Sequence, residues 1–226
     1  MSPDDVIRSA RSYRCSGIAF TYSEPAIWAE YVIDVASRYD GDRILVSNGY
    51  VNKKPLRDMA EHLDAANIDV KGREGFYERL CHAPFHDSLS SIALLHEVGV
   101  HVEATTLVIP GENDSDDELT AIFGGLASIS TEIPLHISRF FPHYRMGSTP
   151  PTPPQTLDHA VQLAHEAGLA YVYLGNIAAD DNTYCPACGT LLVGRQGYSI
   201  GHVGIAGGSC PSCGRGIYGR WQTIKK

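Results

Sequence analysis

Four of the six cysteines stand in two short units, Cys185-Pro-Ala-Cys188-Gly and Cys210-Pro-Ser-Cys213-Gly. Each turn puts two thiols within chelating reach of one ion and lets backbone amides approach them, and residues 191–209 can fold as a hairpin. Four thiolates close a tetrahedral site, which is structural rather than catalytic. The 21 residues from 189 to 209 slightly exceed the usual interval of a zinc ribbon. Zinc is the expected ion and rubredoxin-type iron its rival, with two disulfides the less favoured alternative. So small a segment should depend on its metal to fold. Cys15 and Cys81 have no partner at ligand spacing, and lone thiols of this kind are common structural residues.

A second set of reactive side chains closes short apolar runs: Thr21 to Glu24, Ser47-Asn48, Asp69-Val70-Lys71, and His136 to Arg139. Charged groups turned toward a lumen are costly without partners, so Asp69, Lys71 and Glu103 should pair with one another or with a charged ligand. The plain structural alternative for Asp69 and Lys71 is an internal salt bridge. For Glu24 it is an acid at a helix start, and for His136 a hydrogen-bonded core histidine. Taken singly, Glu24 and His136 favour those alternatives; it is the convergence of four such groups that points to a site.

The elements that must position these residues alternate regularly. Ser2 and Pro3 start a helix with acids at its positive end. Strands are expected over 17–22, 43–47, 65–71, 100–109, 135–140 and 171–175, and helices over 26–38, 54–62 and 87–97, with others capped by Ser115-x-x-Glu118 and by Thr152-x-x-Gln155 with Pro153 at the first helical position. Strands separated by helices of this length pair in parallel, as a doubly wound sheet or a full or partial β/α barrel. Alternation favours the barrel. Asn67, Asp69 and Lys71 share one strand face opposite Ile68 and Val70, and His101, Glu103 and Thr105 share another. A strand sandwiched between helix layers would be apolar on both faces. In parallel β/α folds ligands bind at the carboxyl ends of the strands, where these groups lie.

Composition narrows the classes of function. A net charge of −8 and a pI near 5.6 leave no basic footprint for nucleic acid. No apolar run approaches the roughly 18–20 residues of a membrane span, and the acidic opening is unlike a signal peptide, so no membrane partner is expected and the chain should be cytoplasmic. Composition changes near residue 178, which divides the chain into a β/α part, 1–178, and a four-cysteine module, 179–226.

Five segments in order, Gly-Ile-Ala-Phe-Thr-Tyr-Ser-Glu-Pro, Ser-Asn-Gly-Tyr, Asn-Ile-Asp-Val-Lys-Gly, Val-Glu-Ala-Thr-Thr-Leu-Val-Ile-Pro-Gly-Glu-Asn-Asp and His-Ile-Ser-Arg-Phe, resemble the radical S-adenosylmethionine (SAM) enzymes. The subgroup most resembled is the AmmeMemoRadiSam type, itself similar to pyruvate formate-lyase activating enzymes. The resemblance implies a partial β/α barrel that binds SAM across its strand ends, and it extends to a C-terminal zinc ribbon. It places Glu24 on the methionine amino group, for which a carboxylate is the apt acceptor. It places Ser47 and Asn48 near the ribose or carboxylate, Asp69 and Lys71 on the same ligand, and Thr105 and His136 on the adenosine side. The activating enzymes carry an aspartate where this chain has Val46, so that contact is not carried over.

The same family holds a [4Fe–4S] cluster in a Cys-x3-Cys-x2-Cys loop, and these 226 residues contain no such motif. The first barrel strand and its cluster loop are therefore expected to be missing, and no catalytic residue is assigned. The expected strand at 17–22 becomes an open edge that another polypeptide could complete. The expected alternatives to such a partner are, in order, a wrongly assigned start at Met1, a split gene and a degenerate remnant. Expected partners are a polypeptide supplying the strand and cluster loop, or else the Memo-type and AMMECR-type system proteins that the resemblance implies, together with a substrate, protein or small molecule. A non-catalytic SAM-binding or scaffold protein is the alternative, followed by a metal-binding β/α protein with no cofactor site.

Overall fold

Helix α1 (Pro3–Ser12) begins as its sequence dictates: the Asp5 amide donates to the Ser2 hydroxyl, while the Asp5 carboxylate accepts from the Ser2 amide. The computed structural model describes residues 1–197 and 199–221 and divides into two compact units, Met1–Thr106 and Leu107–Lys226. Residue 198, at the expected hairpin tip, and residues 222–226 of the expected module lie outside the described residues.

In the first unit, β1 (Gly17–Phe20), α2 (Ala29–Ala36), β2 (Asp42–Ser47), α3 (Lys53–Ala60), β3 (Ala65–Asp69), α4 (Glu74–Phe76), α5 (Phe85–Glu97) and β4 (His101–Val108) follow in order, the last two residues of β4 belonging to the second unit. Strand β1 pairs in parallel with β2, β2 with β3 and β3 with β4, in the registers Gly17↔Asp42, Ile44↔Ala65 and Ala65↔His101. Because each strand lies beside its predecessor and right-handed crossovers do not reverse, the helices all fall on one face. A doubly wound sheet would reverse its order and cover both.

Burial follows. Ala66, Ile68, Val70, Val102 and Ala104 are buried, whereas Asn67, Asp69, Lys71, Glu103 and Thr105 on the other face are half-exposed. The covering helices present apolar residues at helical spacing, Val32, Val35 and Ala36 on α2 and Leu56, Met59 and Ala60 on α3, all buried. Each Val, Leu or Met so buried stabilises by about 1.5–3 kcal/mol.

The second unit holds α6 (Asp116–Ile129), β5 (Leu135–Arg139), α7 (Pro154–Glu166) and β6 (Val172–Gly175), with β5 and β6 parallel. Strands β7 (Thr183–Tyr184), β8 (Leu191–Gln196) and β9 (Ser199–Val203) form an antiparallel sheet. The compositional change near residue 178 falls inside this unit, and Tyr171 shares one core with Cys185, Leu192, Val193, Cys210 and Ile217. Strands β1 to β6 run in chain order in a six-stranded sheet, so the fold is α/β, that of a partial β/α barrel. No helix among the described residues is long and apolar enough to cross a membrane.

Three local expectations need correction. The helix expected over 26–38 opens as a 3-10 turn, Pro25–Trp28, and becomes α-helical only at Ala29, because Trp28 (φ −132°, ψ 41°) breaks the helical path. Between β3 and α5, where the sequence marks no element, α4 runs into a π-helical turn, Tyr77–Cys81. Thr152 does not cap α7. Its buried hydroxyl instead accepts from the Phe140 amide and donates to the Val108 carbonyl, so the helix starts one residue later, with Pro153 at the cap.

Candidate cofactor site and metal centre

After β1 the chain turns sharply through two left-handed residues, Tyr22 (φ 63°) and Ser23 (φ 49°), a conformation costing about 1–3 kcal/mol for each non-glycine residue. The turn swings Glu24 onto the end of β2. There one carboxylate oxygen accepts from Ser47 Oγ at 2.7 Å and from the Ala26 amide at 3.1 Å, and the other from the Asn48 amide at 2.9 Å. Glu24 is thus both the cap of the 3-10 turn and a strand-end group. Three donors occupy three of the roughly four acceptor positions of a carboxylate, which leaves room for one more.

Ser47 is buried and its hydroxyl also accepts from the Gly49 amide at 3.0 Å, so it holds Glu24 from beneath. The Asn48 side-chain oxygen accepts from the Tyr50 amide at 2.8 Å. Gly49 has φ +73°, and a Cβ there would meet Ile68 Cγ2 at 2.7 Å, which is why this loop needs glycine.

Just past β3, Lys71 Nζ meets Asp69 Oδ2 at 2.8 Å, the internal ion pair of the plain structural alternative. Burial acts to lower the Lys71 ammonium, but the Asp69 charge and hydrogen bond outweigh it and raise it above the usual lysine value. Thr105 donates to Asn67 Oδ1 at 2.8 Å, and Glu103 is bonded to His101 at 3.1 Å. Glu24, Ser47 and Asn48 are therefore in direct contact, and Asp69 and Lys71 pair beside them in the same unit. His136 belongs to the second unit, where it stacks on its register partner Tyr173 at 5.4 Å between ring centres.

The second unit brings the four cysteines together. Cys185 and Cys213 sulfurs lie 3.6 Å apart, Cys188 and Cys210 sulfurs 3.7 Å, and all four fall within 4.8 Å of one another. Four sulfurs about 2.3 Å from a central ion sit about 3.8 Å apart along a tetrahedron's edge, so the quartet fits such an ion. None of the four is in a disulfide. The Thr190 hydroxyl and amide hold the Cys188 thiol down at about 6. The Arg215 amide also lowers Cys213, but hydrogen bonding with the Cys188, Cys185 and Cys210 sulfurs outweighs it and raises that thiol to about 12. Four neighbouring sulfurs cannot all ionise unless a cation joins them.

Sequence reasoning missed Asn67 as the partner of Thr105, Tyr77 and Ser88 as partners of the strand-end loops, and Tyr173 as the partner of His136. The period-two pattern that set Asn67 on the polar face was its only signal; isolated hydroxyls of Tyr77 and Ser88 carry none. Among the described residues, the quartet is the one group of three or more ligating side chains within reach of a metal. Cys15 is exposed and Cys81 half-buried. The residues present do not fit a [4Fe–4S] cluster of the three-cysteine kind.

The model of the radical SAM superfamily matches residues 1–123. An uncharacterized protein of Methanocaldococcus jannaschii is 39% identical over 225 residues, which cover 96% of this chain and 67% of that protein. A domain of a pyruvate-formate lyase-activating enzyme from Bacteroides vulgatus superposes with a TM-score of 0.58 at 17% identity, over 71% of this chain and 99% of that domain. A radical SAM methyltransferase from Sphaerobacter thermophilus gives 0.60 at 14% identity, over 84% of this chain and 62% of its own. These two likenesses show the fold, and the family match adds the lineage: the chain belongs to the radical SAM superfamily.

Proposed function

We propose that the chain binds S-adenosylmethionine at the ends of β1, β2 and β3, as the cofactor-holding part of a radical SAM enzyme of the AmmeMemoRadiSam or pyruvate formate-lyase activating type. The observation that carries this reading is the convergence of Ser47 Oγ and the Ala26 and Asn48 amides on Glu24. They fix a carboxylate with one acceptor position left, the complement of an ammonium that arrives with its own donors. Lys71, beside it, supplies the positive charge for the ligand's carboxylate, and Asp69 accepts from hydroxyls. Thr105, fixed by Asn67, lines the same polar strand face. We assign zinc to the cysteine quartet and a cytoplasmic location to the chain, since four free thiols persist in a reducing compartment.

The superfamily implies an iron–sulfur cluster as well as SAM, and with both bound such enzymes cleave the cofactor reductively to give a hydrogen-abstracting radical. The cluster ligands belong, in this reading, to a strand outside the 226 residues, in the same protein or in a partner that adds to β1. Among the described residues β1 pairs with β2 alone, which supports an added strand. The same open edge favours the second reading, a non-catalytic SAM-binding scaffold. Calorimetry with SAM tests the binding both share: weak binding is expected, diminished by Glu24→Ala and Asp69→Ala. Binding indifferent to both changes would remove the site.

A further inference from the structure

Two buried hydroxyls tie the loop after β2 to the loop after β3. Tyr77 and Ser88 are 4% and 0% exposed. The Lys71 amide donates to the Tyr77 hydroxyl at 2.8 Å, and Ser88 Oγ donates to the Asn48 carbonyl at 2.9 Å. The two hydroxyls lie 3.3 Å apart. Since the serine proton goes to Asn48, the tyrosine proton points either to Ser88 Oγ or to the Asp69 carbonyl at 3.4 Å. Ser91 Oγ adds a further bond to the Gly49 carbonyl.

The π-helical turn places the tyrosine. Turns of this kind insert one residue into a helix and recur at functional sites. Here the turn begins at Tyr77, directly after Phe76, and both consecutive aromatic side chains are buried. The relay does not end at Asn48, because that residue's amide is one of the three donors on Glu24. With the tyrosine proton on Ser88 Oγ, one line of hydrogen bonds runs from the Lys71 backbone through Tyr77, Ser88 and the Asn48 backbone to the Glu24 carboxylate.

We infer that Tyr77 and Ser88 are positioning residues that set the separation between Glu24 and Lys71, and with it the fit of an amino acid's ammonium and carboxylate. The inference rests on the cofactor reading above. An α-amino acid head group has fixed dimensions, so its two charged partners must be held at a fixed spacing by groups that never touch it.

Tyr77→Phe and Ser88→Ala test this in the whole chain. Each is expected to weaken SAM binding by roughly 5- to 10-fold, and the double variant little more than either, because both cuts sever one relay. Tyr39→Phe is the control: it removes the hydroxyl of another buried tyrosine, bonded to the Cys15 carbonyl at 2.8 Å ahead of β1 and outside the relay. It should lower the melting temperature and leave SAM affinity unchanged. Unaltered affinity in Tyr77→Phe, or an equal loss in Tyr39→Phe, would overturn the inference. If the unaltered chain binds no SAM, the cofactor reading falls on its own. Amide exchange then decides for the relay: faster exchange at Lys71 in Tyr77→Phe sustains it as a brace between the loops, and unchanged exchange overturns it.

Discussion

The strand-end cluster and the cysteine quartet complete themselves by opposite means. Around Glu24 three donors are supplied by the protein, so the carboxylate is preorganised by the fold before the proposed ligand arrives. The quartet gathers four sulfurs into one small volume, where their charges need a cation to balance them. Cys185 and Cys210 also belong to the module's core, so an ion joining the sulfurs would hold the core as well. The difference teaches which site depends on which: the first needs the fold, and in the second the fold needs the site.

Metal removal should break this symmetry most. A strong chelator, or Cys185→Ser with Cys210→Ser, is expected to release one zinc per chain and unfold the module. Elemental analysis and amide exchange over residues 183–217 would show it, while exchange over β1 to β3 stays slow; a folded, metal-free module would refute the comparison. Acid should act next, since protons compete with the ion for sulfur. Affinity falls as pH falls, by roughly tenfold per unit for each proton displaced, and rises again with pH. A metal titration between pH 8 and 6 reads the slope, and a flat profile would mean the sulfurs are not the ligands.

At the strand ends the effects are smaller and confined to the ligand. Glu24→Ala removes a charge-assisted contact of about 1.5–3 kcal/mol and should weaken SAM binding roughly 10- to 150-fold without loss of zinc. Ser47→Ala is the mildest. It leaves Glu24 with its two amide donors and removes the acceptor of the Gly49 amide, so a stability loss of about 1–2 kcal/mol should accompany a few-fold weaker affinity. A Ser47→Ala effect as large as that of Glu24→Ala would mean that the serine itself touches the ligand.

Much of this was legible because it is local. The alternation of Asn67, Asp69 and Lys71 against Ile68 and Val70 is a two-residue period, and it foretold which face of β3 would be half-exposed. Ser2 and Ser115 cap the helices their neighbours announce. Thr152 carried the same local signature and misled, because the Phe140 amide and the Val108 carbonyl, 44 residues away, claim its hydroxyl. Glu24 was ambiguous for a related reason. Its helix-start and strand-end readings compete in the sequence, yet one carboxylate has oxygens for both.

The sequence by itself determined the order of strands and helices, the polar face of the sheet and the pairing of the cysteine turns, since each is written within a few residues. Only the tertiary structure showed consecutive strands paired as neighbours, which in the first unit puts the helices on one face. It alone brought Ser47 and Asn48 against Glu24 and set Tyr77 and Ser88 between the loops. Hydrogen bonds between residues 23 to 40 positions apart leave no periodic trace in the chain, and they form only where the packed core has already fixed both partners.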